Sequence, residues 1–225
     1  MKRLFLFAIL ALLPACAHQP KDLSKFEAAK PASILIVPVV NQSVEVTAPD
    51  YFLSTVPVPL GERGYYVFPV NLVKRVLEDE GLSDANLVHN AAPQKVCGLF
   101  GSDAILYVTI KEWSAKYLLL STVVDVRLAY AIKDCKTGET LWDHEQAMTY
   151  SPQNNSTGNP LGDLIVMAVN AAVTKAAPNY VPLARQANNI AFNGRPGERG
   201  IPFGPYASQE QMAEGARTGI RAPKN

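Results

Sequence analysis

Residues 124 to 132 read "VDVRLAYAI", and their alternation decides the class of fold. Successive side chains of a strand point to opposite faces, so one face would carry the large apolar residues and the other the charges and alanines. This pattern predicts an antiparallel strand with one buried face. The predicted buried set is Val124, Val126, Leu128, Tyr130 and Ile132; the predicted outer set is Asp125, Arg127, Ala129 and Ala131.

The turn after this strand extends the prediction to a hairpin and then to a meander. "DCKTGET" (134–140) offers a glycine for a positive φ, so 123–134 and 139–149 should pair. The apolar stretch that begins at Asp103 supplies a third antiparallel strand upstream.

The flanking segments add further strands and helices. "SILIVPVV" (33–40) is apolar on both faces, as in a strand covered on both sides or at the centre of a sheet, and "YYVF" (65–68) predicts a short strand. Helical spacing and cap residues predict a short helix that starts near Pro49, a helix from Pro93 to Gly98 or Gly101, and helices near 73–80, 161–176 and 180–192. In contrast, "NLVHN" (86–90) reads as extended or loop. The order predicts an α/β fold: a two-layer sandwich with a mixed sheet, an antiparallel three-strand meander and helices packed on it.

The N-terminus is typical of an exported bacterial lipoprotein. Lys2 and Arg3 precede ten apolar residues, a run too short to span a bilayer, and "LPACAH" (13–18) then presents a small residue before Cys16. We therefore predict that residues 1–15 are a lipoprotein signal peptide and that Cys16 is acylated; the alternative is an ordinary signal peptide cut nearby. Ala17 stands where an aspartate would signal inner-membrane retention, so delivery to the outer membrane is favoured.

Composition divides the rest of the chain into three parts. Residues 16–30 are polar and mixed and predict a lipidated tether, which at about 14 residues would span at most about 50 Å. Residues 31–192 would form the α/β domain. Residues 193–225 hold six glycines and four prolines, so we expect a tail without a packed core. The tail is either a flexible end or an arm whose "IPFGPY" segment docks on a partner or on the domain itself, with Ile201, Phe203 and Tyr206 as the possible partner contacts.

Two cysteines remain after Cys16. In an oxidising periplasm Cys97 and Cys135 could form a disulfide, and the alternative is two buried free thiols. Two distant thiols are too few to hold a metal ion.

The charge and the motifs argue against several classes of function. Removal of Lys2 and Arg3 from the 21 basic residues leaves 19, against 20 acidic ones, so there is no basic excess for nucleic acid. The sequence contains no H-E-x-x-H, G-x-S-x-G or C-x-x-C motif. Asp143, His144 and Glu145 alternate along a predicted strand that we expect to be solvated, so they would not converge. We predict no catalysis, no cofactor and no metal.

The quoted segments together resemble a known family. The export signal, "ILIVPVVNQS", "LGERGYYVFPVNLVKRVLEDEGL" and "LYVTIKEWSAKY…DCKTGETLWD" are similar to a family of bacterial lipoproteins of unknown function, which includes a neisserial outer-membrane vaccine-candidate antigen. The resemblance implies a fold like that of the TolB N-terminal domain and of the periplasmic domain of the curli secretion lipoprotein CsgG. It also implies a CsgG-like lipoprotein as partner, and it brings no catalytic residues.

Two functions follow as alternatives. The first is a non-enzymatic accessory of an envelope assembly or secretion complex, anchored in the outer membrane with its domain in the periplasm. The second is a regulator of a cell-wall synthase; a hydrolase is the least favoured. Homo-oligomerisation and exposure on the cell surface stay open.

Overall fold

A mixed six-stranded sheet organises the fold. The computed structural model describes residues 21–118, 121–150, 179–194 and 200–217, with side chains up to Ala115 and from Val123 in the meander and up to Ala213 at the C-terminal end. The sheet order is β3-β1-β4-β5-β6; β1 is parallel to β3 and β4, β2 also pairs with β4, and β4, β5 and β6 are antiparallel. The strands are β1 (Ser33–Ile36), β2 (Val40–Asn41), β3 (Tyr66–Val67), β4 (Ala104–Leu118), β5 (Ser121–Asp134) and β6 (Thr140–Tyr150). The predicted mixed sheet with an antiparallel meander is confirmed.

Eight helices accompany these strands within the described residues. They are α1 (Ser24–Ala29), α2 (Ala48–Thr55), α3 (Pro57–Glu62), α4 (Val70–Asp79), α5 (Ala85–Asn90), α6 (Pro93–Gly98), α7 (Val181–Asn193) and α8 (Gln209–Arg217). Pro57 begins α3 directly after α2, because proline fits the first helical turn but not a helix interior. Gly81 follows α4 with φ +78°, the left-handed conformation that glycine commonly adopts just beyond a helix end. The helix predicted over 161–176 lies outside the described residues.

The meander has the predicted register. Val126 pairs with Trp113 on β4 and with Met148 on β6, and all five predicted inward residues of β5 are buried. A bulge at Lys111 shifts the alternation of β4 by one residue. Because of that shift Trp113 reaches the core, where it contacts Phe52 and Tyr180 edge-to-face, each at 5.5 Å between ring centroids.

Helices lie on both faces of the sheet around β1, whereas the predicted two-layer sandwich would have them on one face. Ile34 and Ile36 face the main core beneath α1, α2, α3 and α7. Leu35 and Val37 face a second apolar cluster beneath α4, α5 and α6. The two-layer description therefore holds for the meander half only. The physical reason is the two-sided apolar run of β1, which needs cover on both faces.

The tether prediction is wrong for residues 24–29, which form α1. Phe26 is only 2% exposed and packs edge-to-face against Tyr65 at 6.3 Å between ring centroids. Burying one such ring contributes about 1.5–3 kcal/mol to the docking of this short helix. The domain therefore begins before residue 31, where the sequence predicted its boundary.

The loop prediction for residues 86–90 is also wrong, because they lie in α5. The carboxylate of Asp84 accepts hydrogen bonds from the backbone N–H groups of Asn86 (2.7 Å) and Leu87 (3.4 Å). This N-cap satisfies the first turn of the helix, which favours helix over loop.

Candidate functional site: the Arg63 clasp and the β3 edge

A buried arginine at the end of α3 fixes the C-terminal part of the described chain. Arg63 is 1% exposed, and its guanidinium donates hydrogen bonds to Asn193 Oδ1 (2.9 Å), the Ile201 carbonyl (2.6 Å) and the Gly194 carbonyl (3.2 Å). Its guanidinium carbon also lies 4.9 Å from the centre of the Phe203 ring. Burial lowers the pKa of Arg63 to about 10, so the side chain stays charged at neutral pH. Carbonyl dipoles and an aromatic face therefore stabilise a buried cation.

Backbone and tyrosine contacts complete this arrangement, which we call the Arg63 clasp: residues 63–65 together with residues 200–207. The backbone N–H of Gly204 donates to the Arg63 carbonyl (2.7 Å), that of Tyr206 donates to the Gly64 carbonyl (3.0 Å), and Tyr65 Oη donates to the Pro202 carbonyl (2.8 Å). Burial raises the pKa of the Tyr65 phenol, so it stays protonated and able to donate.

The approach of the two segments requires glycine at position 64. Gly64 has φ +80°, and a Cβ there would lie 2.1 Å from the backbone nitrogen of Ala207. Any side chain at this position would separate the segments.

The clasp places "IPFGPY" on the domain itself, one of the predicted alternatives, and corrects the expectation of a tail without a packed core for residues 200–207. Ile201 is fully buried and Phe203 is 7% exposed, so both belong to the domain's own core and cannot serve as free contacts for a partner. Tyr206 is 68% exposed, so its ring remains accessible to a partner. Of the three predicted contact residues, Ile201 and Phe203 are therefore packed in the core, and only Tyr206 is exposed.

Tyr206 is held close to strand β3 by its backbone N–H, which donates to the Gly64 carbonyl, and other large apolar side chains around β3 are exposed as well. Tyr66 on β3 is 52% exposed and Leu72 on α4 is 64% exposed. Tyr66 contacts Phe68, which contacts Phe100 in turn, at 5.0 and 6.0 Å between ring centroids. We define the β3-edge surface as Tyr66, Leu72, Val76, Leu99 and Tyr206, all of which are exposed. Large exposed apolar side chains grouped in this way are typical of sites of protein contact.

On the meander half of the sheet, the face that points away from the main core is polar, and its polar side chains pair with one another. A shallow depression there is lined by residues of all three meander strands, Asp125 and Thr149 among them. Arg127 pairs with Glu112 at 3.2 Å, and Thr149 donates to Asp125 at 2.8 Å. The charged and hydroxyl groups of the depression therefore pair with one another.

The two cysteines of the domain are brought together. The structure joins Cys97, in α6, to Cys135, just beyond β5, as a disulfide with the Cα atoms 5.7 Å apart. Both residues are buried in the second apolar cluster, and the Ser102 hydroxyl lies 3.4 Å from the Cys135 sulfur. The bridge ties the helical layer to the end of the meander.

The histidines of the domain are packed rather than solvated. His89 Nε2 donates to the Pro38 carbonyl (3.0 Å), its ring contacts Tyr107, and burial lowers its pKa. His144 is 8% exposed and stacks on Trp142, whereas Asp143 and Glu145 are exposed on the other face. The three residues do not converge, as predicted, but the expectation that the whole segment is solvated is wrong for His144.

Other site predictions concern the membrane and metals. Cys16 lies outside the described residues. Over the part of the chain that is described, no helix has the length and apolarity needed to cross a bilayer. Within the same residues, no set of three or more His, Cys, Asp or Glu side chains is arranged to hold a metal ion.

Sequence reasoning missed the Arg63 clasp. Its only signal is an arginine between two glycines in "LGERGYY" (60–66), and nothing in that pattern points to a partner segment 138 residues away.

Comparison with known proteins identifies the family. Residues 21–206 match the family described as "Putative lipoprotein GNA1162-like", a span that begins just before α1 and ends at Tyr206 in the clasp. A relative from Neisseria meningitidis serogroup B, the "Putative lipoprotein NMB1124/NMB1162", is 34% identical over 211 residues, which cover 92% of this chain and 96% of the relative.

Solved structures agree with this assignment. The crystal structure of lipoprotein GNA1162 from Neisseria meningitidis superposes with a TM-score of 0.54 and 34% identity, covering 62% of this chain and 95% of that one. The resemblance seen in the sequence is thus confirmed, and the chain belongs to the GNA1162-like family of lipoproteins.

Proposed function

We propose that this protein is an outer-membrane-anchored periplasmic lipoprotein that acts without catalysis, as an accessory of an envelope assembly or secretion complex. The partner we propose is a CsgG-like envelope lipoprotein. The observation that carries the proposal is the β3-edge surface, which offers two tyrosines and several aliphatic side chains to solvent. Aromatic side chains of this kind supply much of the contact energy at interfaces.

Anchoring rests on Cys16 and on membership of a lipoprotein family. Acylation with more than one chain would hold the protein firmly, because each buried CH₂ adds about 0.8 kcal/mol. We expect labelled palmitate to enter the wild-type protein and Cys97→Ala, but not Cys16→Ala. Ala17→Asp should move the protein to the inner membrane on a density gradient, whereas Ala17→Ser should not. Label in Cys16→Ala would contradict the anchor.

A non-catalytic role is supported by what the reactive groups of the domain already do. Cys97 and Cys135 are bonded to each other, and His89 donates to a backbone carbonyl. Each of these groups stabilises the fold.

The length of free chain bears on the choice of partner. With residues from Lys21 onward in the domain, only five residue intervals separate it from Cys16, which span at most about 18 Å. A regulator of a cell-wall synthase would have to reach far across the periplasm. The short reach therefore favours a partner held in the outer membrane itself.

Affinity purification from detergent-solubilised envelopes tests the proposed partner. The tagged wild-type protein should retain a CsgG-like lipoprotein, and the double variant Tyr66→Ala/Leu72→Ala should lose it. Val46→Ala is the matched control, because Val46 is an exposed aliphatic residue in the loop after β2, away from the β3 edge. Recovery of a cell-wall synthase, or equal recovery of the lipoprotein with all three proteins, would contradict the proposal.

A further inference from the structure

The first described residue is fixed to one edge of the sheet. The ammonium of Lys21 donates to the backbone carbonyl of Asp143 on β6 and lies 3.5 Å from the carboxylate of the same residue. It also lies over the Trp142 ring, 5.9 Å from its centroid. The chain thus enters the domain along the edge formed by β6.

The segment that follows, α1, contacts this edge through Lys25 and the residue before β3 through Phe26. Lys25 pairs at 3.4 Å with Glu139, in the turn before β6, and Phe26 is buried against Tyr65. The domain cannot move away from the membrane by releasing α1 without exposing this ring to water. The reach of the chain is therefore set by the residues between Cys16 and Lys21.

We infer that the β6 edge is the membrane-proximal edge of the domain, held next to the lipid headgroups, and that the β3-edge surface is displayed on the far side. The inference rests on the proposed acylation of Cys16. The five residue intervals from Cys16 to Lys21 limit the separation of Lys21 from the lipid to about 18 Å. Four strand intervals of about 4.8 Å separate β6 from β3, so the β3 edge lies about 19 Å farther along the sheet.

The charges along the β6 edge fit a zwitterionic headgroup surface. Lys21 with Asp143, Lys25 with Glu139, and Lys111 with Glu145 form three pairs of opposite sign. These pairs leave no excess positive charge to select anionic lipid. The acyl anchor, rather than a basic patch, sets the position of the domain.

Fluorescence quenching in vesicles tests this orientation. The probe positions are Ala147→Cys, exposed on β6, and Asn71→Cys, exposed in the first turn of α4 just after β3. Each acylated variant is labelled with a small fluorophore under non-reducing conditions, which keep Cys97 and Cys135 bonded. The vesicles are phosphatidylethanolamine and phosphatidylcholine, with a fraction of nitroxide-labelled headgroups.

We expect the fluorophore on Ala147→Cys to be quenched at least about twofold more than that on Asn71→Cys, because the latter lies about 19 Å farther from the lipid. Inserting about 20 Gly and Ser residues after Pro20 should remove the difference, because a flexible linker frees the domain. A difference that survives the insertion would overturn the claim that the short anchor sets the orientation. Equal quenching, or stronger quenching of Asn71→Cys, would overturn it.

Flotation of the labelled vesicles separates this inference from the proposed function. Protein that floats but shows equal quenching overturns only the orientation. Protein that fails to float overturns the lipid anchor, and the inference with it.

Discussion

The guanidinium of Arg63 donates a 2.6 Å hydrogen bond to the carbonyl oxygen of Ile201, 138 residues farther along the chain. Both residues are fully or almost fully buried. This contact makes the segment around Ile201 part of the domain core, and farther along the segment the backbone N–H of Tyr206 donates to the Gly64 carbonyl, two residues before Tyr66.

Arg63→Ala should destabilise the domain by about 2–4 kcal/mol. The substitution leaves the buried Ile201 carbonyl and two part-buried acceptors without their donor, and it opens a cavity. Arg75→Ala is the matched control, because Arg75 is exposed and pairs only with Asp79, so it should cost about 0.5 kcal/mol or less. Urea unfolding of both variants measures the difference, and similar midpoints would contradict the role of the clasp.

Ile201→Ala should cost about 2–4 kcal/mol, because it removes a fully buried side chain from the main core. Tyr206→Ala should change the free energy of unfolding by about 0.5 kcal/mol or less, because that ring is exposed. Tyr206→Ala should instead weaken binding of the envelope partner. Thermal melts paired with co-purification separate the two effects, and an unchanged melting temperature for Ile201→Ala would show that the segment is a free arm after all.

The disulfide should stabilise the domain by about 4 kcal/mol, the value expected from the entropy of closing a 38-residue loop. The double variant Cys97→Ala/Cys135→Ala should lose about that much, and dithiothreitol should lower the melting temperature of the wild-type protein to a similar extent. The double variant should not respond to dithiothreitol. A wild-type protein that does not respond either would mean that the two cysteines are free thiols in the mature protein.

His89 should make the domain less stable in mild acid. Burial lowers its pKa in the folded state, so below the ordinary value of about 6.5 the unfolded chain takes up a proton that the folded chain does not. Stability should therefore fall as pH drops below that value, by up to about 1.4 kcal/mol per pH unit until the folded-state pKa is reached. Denaturant unfolding at several pH values, with His89→Gln as the comparison, measures this slope. An equal slope in both proteins would assign the pH dependence to other groups.

Much of the sheet could be predicted because its signals are local. The alternation in residues 124–132 and the glycine of the following turn give the meander register directly, and the two-sided apolar run gives the central strand. The α5 helix was not predicted, because the apolar periodicity of its sequence is weak. The side chain of Asp84 caps its N-terminus and favours the helix.

The candidate site was harder to predict because its contacts are distant in sequence. Tyr206 could be proposed from its aromatic ring in a glycine- and proline-rich segment. The burial of Ile201 depends on Arg63, and that of Phe26 depends on Tyr65, pairings that no periodicity encodes. A Gly- and Pro-rich composition indicates irregular backbone, and it does not tell whether that backbone packs.

Site-specific photo-crosslinking in living cells tests the proposed partner surface most directly. A photoreactive phenylalanine derivative replaces Tyr66 in one strain and, as the control, Val46 in another; both side chains are exposed in the native protein. We expect irradiation of the Tyr66 strain to give a covalent adduct with a CsgG-like envelope lipoprotein and the Val46 strain to give none. An adduct with that protein from Val46 and not from Tyr66, or adducts of Tyr66 with lipid alone, would contradict the proposal.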